Sequence, residues 1–184
     1  RLFGRGPGEH RFTARGCQGS VVGAIASFRG GVPPAAAADT GTATVLVVPR
    51  AEGLEDAPGD ALDGYRTLIR ASLARFRGHE ASHADAMTVA TFDGPARAIR
   101  CAAAIVDAAQ ELGVKTRAGL HTGECDMRGD RVGGVAVQLA AWVASQAAPG
   151  DVLVSSTVKD LFAGARLRFA DRGGGPGGPW LSTL

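Results

Sequence analysis

The sequence predicts an α+β sandwich, one sheet with helices packed on it, over residues 42–184. Three observations predict it: β-branched strand-like runs, apolar stretches of helical period between them, and Gly and Pro signals at the junctions. Two β-α-β passages around one sheet make this a ferredoxin-like βαββαβ sandwich.

Residues 1–41 come first, rich in Gly, Ala and Arg, with Gly30-Gly31-Val32-Pro33-Pro34 and an Ala run, and Val21 to Phe28 as their one apolar patch. They read as a low-order extension, a linker or the remnant of an upstream domain. The absence of a Met before Arg1 fits a piece of a longer chain. Ala43 to Val48 is apolar on both parities, as a central strand covered on both faces must be, and Pro49 ends it for want of an N–H.

After Pro58-Gly59, Leu62, Tyr65, Leu68, Ile69, Leu73 and Phe76 mark one face of a helix from about 60 to 75. A hairpin-like passage leads to a strand at Thr88–Phe92. Asp93 is the expected N-cap of the next helix, Pro95 sits in its first turn and Gly113 stops it, with Ile99, Ala102, Ala103, Val106 and Ala109 inward. Thr116–His121 reads as a strand and Glu124–Val132 as a strand or arm. Gly133-Gly134 then turns into a helix whose Val135, Leu139, Trp142 and Val143 define the buried face. A strand at Asp151–Ser155, a short helix at Thr157–Phe162, a strand at Arg166–Asp171 and an edge strand at Trp180–Thr183 complete the chain.

Composition narrows the function. Net charge is +2, the lysines are Lys115 and Lys159 alone, and no basic face interleaved with aromatics stands out, so nucleic acid is not an expected partner. Cys17, Cys101 and Cys125 are odd in number and lack metal spacing, which suits reduced thiols in the cytoplasm. No apolar run reaches membrane-spanning length within this segment.

His79-Glu80-Ala81-Ser82-His83 fits the His-Glu-x-x-His zinc motif, whose chemistry needs both histidines on one face of a stable helix. Gly78 and the strand-like Thr88-Val89-Ala90 argue against that, leaving a zinc hydrolase as a third reading. His121 and Glu124 form a weaker candidate metal pair. The Gly173–Pro179 run lacks the Gly-Lys-Ser/Thr ending of a phosphate loop.

Three blocks in order carry a resemblance: Ala90-Thr91-Phe92-Asp93-Gly94-Pro95-Ala96 through Ala102, Gly119-Leu120-His121-Thr122-Gly123-Glu124, and Pro149-Gly150-Asp151-Val152-Leu153-Val154-Ser155 through Leu161. With them the chain resembles a class III nucleotidyl (adenylate/guanylate) cyclase catalytic domain of bacterial type. The resemblance implies a head-to-tail dimer with shared active sites. One half-site holds two Asp on two Mg²⁺ or Mn²⁺ ions; the other supplies a purine-selecting pair, a helix Asn or His, and an Arg and a Lys for the phosphates. Cations must offset charge on the entering and leaving oxygens when a 3′-hydroxyl attacks a triphosphate.

At the positions the resemblance assigns, this chain differs. Pro49 and Ala86 stand at the metal Asp positions, with Asp85 as the surviving ligand if the register slips by one. Ser82 and Arg131 take the purine-selecting positions, Gln138 that of the helix Asn or His, and Trp142 that of the transition-state Arg. Gly173–Pro179 replaces the segment bearing the phosphate Lys. The expectation is a catalytically inactive cyclase homology domain acting as a dimerisation or regulatory module in cyclic-nucleotide signalling, as a homodimer or with another cyclase-type domain, without a cofactor. The alternative is a divergent active cyclase converting ATP or GTP, using Asp85, Asp130 and Arg131, and then needing Mg or Mn.

Overall fold

The computed structural model describes residues 39–54, 59–84, 87–162, 169–173 and 181–183. The proposed extension up to residue 38, with Cys17 and the Val21–Phe28 patch, lies outside the described residues, as do Asp85, Ala86 and positions 174–180.

The first strand, β1 (Asp39–Pro49), begins three residues ahead of the expected domain start at 42, because Asp39 to Gly41 already pair with Met127 to Cys125. It lies between β3 (Met87–Phe92) and β4 (Ala118–Arg128), antiparallel to both. Its Leu46 and Val48 enter a core shared with two helices, α1 (Gly59–Phe76) and α2 (Pro95–Glu111). Its Ala43, Val45 and Val47 enter a second core under α3 (Val135–Gln146). Helices on both faces explain why the run is apolar on both parities.

Helix α1 buries Tyr65, Ile69 and Leu73, and the Tyr65 hydroxyl meets Thr116 Oγ1 at 2.6 Å. Strand β2 (His79–Ala84) pairs with β3. The N-cap of α2 is Gly94 rather than Asp93, whose carboxylate accepts from the Arg97 guanidinium at 2.8 and 3.0 Å instead. That i, i+4 ion pair outcompetes the cap for the same oxygens. Gly113, at φ 74, stops the helix as expected, with the Val114 N–H donating to Ala109 O at 2.8 Å. Ala98, Ile99, Cys101, Ala102, Ile105, Val106 and Ala109 face inward, while Ala103 is only half-buried. Burial pushes the Cys101 thiol up to about 12, so this sulfur is packing, not chemistry.

The expected strand and arm at 116–132 form one long strand, β4, which turns at Gly129-Asp130 into the short β5 (Arg131–Gly133). After α3 come β6 (Val152–Ser155), parallel to β4, and the short α4 (Ser156–Leu161). The last strands are β7 (Ala170–Gly173) and β8 (Leu181–Thr183). The sheet order is β2-β3-β1-β4-β6-β8-β7, with β5 on β4. Its β2-β3-β1-β4 part is the ferredoxin-like arrangement of the βαββαβ passage. β8, expected at the edge, lies inside, paired to both β6 and β7; the edge is β7.

The buried face of α3 differs from the expected one. Ala136, Ala140, Ala141, Val143 and Ala144 are buried, whereas Val135 is 67% exposed and Leu139 and Trp142 are half-buried. The cause lies in the strand beneath. A Cβ on Gly119 would sit 2.2 Å from Ala144 N and 2.7 Å from Ala140 O, so helix and sheet backbones nearly touch. Only alanine-sized side chains fit that gap; Val143 is buried against Ala147 and Leu153, and Val135, Leu139 and Trp142 are left at least partly outside. None of the side chains from Val135 to Gln146 is ionisable. Among the described residues no helix is long and apolar enough to cross a membrane.

Candidate functional site

The sheet end formed by the close of β1 and the start of β3 carries the first group of candidate residues. Pro49, half-buried, is the last residue of β1 and pairs with Met87, the residue after Ala86. Arg50 follows it in the chain, and Arg117 precedes β4, the strand on the other side of β1. Arg50 donates to Leu54 O at 3.1 Å, with its Nε buried and unpaired. Arg117 donates to Ala147 O at 3.2 Å and forms an ion pair with Glu52 at 3.0 Å. Mg²⁺ and Mn²⁺ take oxygen ligands. Among the described residues no group of three His, Cys, Asp or Glu is set to hold a metal, and two carboxylates at this end of the sheet, Glu52 and Asp151, are paired with Arg117 and Arg172. Asp85, the alternative ligand, falls outside the described residues.

Ser82, of whose side chain nothing is described, pairs with Val89 through the backbone. Arg131 opens β5 and is exposed, as is Asp130 in the turn before it. β5 packs against β2 and α3, so the strands bearing Ser82 and Arg131 are neighbours. Gln138 and Trp142 lie on α3. Gln138 is exposed; Trp142 packs on Val143, Ala147 and Leu153, on the β6 side of the helix. Within the chain Pro49 lies at the end of β1, Ser82 and Arg131 on the neighbouring β2 and β5, and Gln138 and Trp142 on α3.

The zinc motif is overturned by its secondary structure. His79 to Ala84 is a strand, with a register shift between Glu80 and Ser82, so its histidines lack the one-face spacing of a helix. Glu80 lies 3.8 Å from Arg70 Nε, held as a surface ion pair. His121 and Glu124, three apart on β4, point to opposite faces, His121 buried and Glu124 exposed.

His121 has a different engagement, which spacing did not signal. Its Nδ1 lies 2.9 Å from Ser155 Oγ, across the parallel β4–β6 pair. Burial pulls the imidazole below its usual value, because the charged form would lose water. Arg117, which ties the segment after β1 to the last turn of α3, was missed as well; a charged residue just before a strand reads as solvated until its partners are placed. A groove of about 420 Å³ lies on the α2 side, lined by Val106, Gln110, Val114 and Lys115 among others, and contains none of the candidate residues.

No family model matches the chain, and no curated protein matches it by sequence. Solved structures do. An adenylate/guanylate cyclase/hydrolase from Silicibacter pomeroyi superposes with a TM-score of 0.66 at 22% identity, over 79% of this chain and 96% of that one. The adenylyl cyclase CyaB from P. aeruginosa gives 0.67 at 17% identity, over 79% and 96%. The guanylyl cyclase Cya2 gives 0.66 at 20% identity, over 80% and 93%. At such identities the likeness is one of fold, and the mixed sheet with α1 and α2 on one face and α3 on the other is what is shared. The chain has the fold of the class III adenylate/guanylate cyclase catalytic domain.

Proposed function

We propose that this is a cyclase homology domain that makes no cyclic nucleotide and serves in the cytoplasm as a dimerisation or regulatory module of cyclic-nucleotide signalling. The observation that carries the reading is that Pro49, at the end of β1, and Trp142, packed on Val143, Ala147 and Leu153, stand where the resemblance gives a metal Asp and the transition-state Arg. A polyanionic triphosphate with its two cations needs an acid at the first and a cation at the second. The spread of the candidate residues over β1, β2, β5 and α3 suits a site shared between two chains.

Dimerisation is supported by α3. Val135, Leu139 and Trp142, spaced i, i+4 and i+7, leave apolar surface outward on a helix without charge. The chain is expected to run as a dimer in light scattering. Val135→Glu is expected to raise the dissociation constant at least about tenfold, roughly 1.4 kcal/mol. Folding is expected to be unharmed, since a carboxylate at the first residue of a helix meets the positive end of its dipole. A chain that is monomeric at high concentration removes the dimerisation half of the reading. Formation of cyclic nucleotide removes the other half, and loss of that turnover on Asp85→Ala would put a divergent enzyme in its place.

A further inference from the structure

The turn after α2 brings hydrogen-bond donors without acceptors to one concave place. The groove of about 420 Å³ runs between the last turns of α2, the residues leading into β4 and the turn ahead of β6. Backbone bonds close its frame. The Glu52 N–H donates to Lys115 O at 3.1 Å, and the Gly150 N–H donates to Thr116 O at 2.7 Å. Its shape is therefore set before anything enters, as in most small-molecule sites. Val106, which is buried, and the half-buried Val114 give it an apolar wall.

Three donors meet there. Lys115 and Gln110 are exposed, and among the described residues neither side chain has a partner. The third donor is at Thr116, 3% exposed, whose Oγ1 lies 2.6 Å from the equally buried Tyr65 hydroxyl. Two hydroxyls carry two hydrogens and share one bond, so one O–H is left over where water hardly reaches. The phenolic O–H is the more acidic and the better donor of the two. The spare hydrogen then belongs to Thr116, the member of the pair that lines the groove. A buried O–H without an acceptor is unfavourable, and an oxygen atom placed in the groove would remove that deficit.

Charge limits what this oxygen can belong to. Lys115 supplies one cation. Glu52 lines the groove as well, but Arg117 holds its carboxylate at 3.0 Å. A monoanion would meet Lys115 and leave the Glu52–Arg117 pair intact, whereas a polyanion would also face the Glu52 carboxylate.

We propose that this groove is a binding site for a small monocarboxylate with a branched apolar body. The carboxylate accepts from the Lys115 ammonium, the Gln110 amide and the spare hydroxyl hydrogen. The body lies against Val106 and Val114 and removes their surface from water. The occupant would join the segment after β1, the end of α2 and the turn before β6. The inference does not rest on the cyclase or the dimer reading, since none of these residues is on α3 or among the family-equivalent positions.

The test is an NMR titration of the full chain with isocaproate, beside the neutral isocaproamide, inorganic phosphate and the variant Lys115→Gln. The expected result is that the Gln110, Val114, Thr116 and Gly150 amides shift together and saturate, with a Kd of about 1 mM or tighter. Replacing the acid by its amide, or Lys115 by Gln, is expected to weaken binding at least about fivefold. Phosphate is expected to leave these amides unmoved. Lys115 is exposed, so its substitution leaves the fold in place. No saturable shift up to about 20 mM, shifts confined to other parts of the chain, or equal binding by the amide or by Lys115→Gln would each overturn the site. Phosphate binding as tightly as isocaproate would overturn its assignment to a monocarboxylate. Cyclic-nucleotide assays and light scattering on the same samples read the other proposals separately, so their failure and the failure of this one are told apart.

Discussion

The purified chain is expected to yield no cyclic AMP or GMP from ATP or GTP, with Mn²⁺ as with Mg²⁺, and the pair Pro49→Asp and Ala86→Asp is expected to leave it inactive. The resemblance puts Trp142 at the transition-state Arg, and loss of such an arginine in phosphoryl transfer costs about 10³–10⁵ in rate. Missing metal ligands remove several kcal/mol of charge stabilisation besides. These parts act as a unit, so restoring one does not return its share of the rate. Product measured by chromatography after long incubation checks this; turnover by the unaltered chain would show that other residues carry the reaction, and turnover by the double variant would show that one half-site suffices.

Gly119→Ala is expected to destabilise the fold by about 3 kcal/mol, at the upper end of the usual cost of overpacking. A single methyl there meets the backbone of Ala144 at 2.2 and 2.5 Å and Ala140 O at 2.7 Å, and backbone cannot swing aside as a side-chain tip can. The helix must lift from β1 and β4 together, opening the core that holds Val45, Val47 and Ala140. Ordinarily the same change in an extended segment gains stability by restricting the unfolded chain. Gly41→Ala is the control. Its nearest would-be neighbour is Met127 Cε at 4.0 Å, and it is expected to be neutral or slightly stabilising. Urea midpoints of the two variants and the parent decide it, and equal midpoints would mean that α3 does not seat as closely as described.

Much of this fold can be read from residue pattern. The β1 run is apolar on both parities because both its faces are covered, and Pro95 and Gly113 bracket α2 by chemistry that acts within one turn. Patterns fail where the deciding partner is distant in sequence. The apolar spacing of α3 points to Val135, Leu139, Trp142 and Val143, and of these Val143 is buried; Gly119, on another element, fixes how near the helix comes and gives the rest of the buried face to alanines. Asp93 looks like a cap until Arg97 is seen to hold it. The edge or interior position of β8 depends on where β6 and β7 lie.

For the candidate site, the order of the three blocks locates Pro49, Ser82, Arg131, Gln138 and Trp142 on their elements. It gives no sign of how Arg50 and Arg117 are engaged, because their partners Leu54 O and Ala147 O are backbone atoms without a sequence signature.

The uncharged make-up of α3 also sets how its outer side meets another protein. With no charge on α3 itself, encounters made through this face alone are expected to proceed at roughly 10⁵–10⁶ M⁻¹ s⁻¹ and to vary little with salt. Choice among similar partners is then expected to fall to contour, to whether a counterpart has a hollow for the exposed Val135.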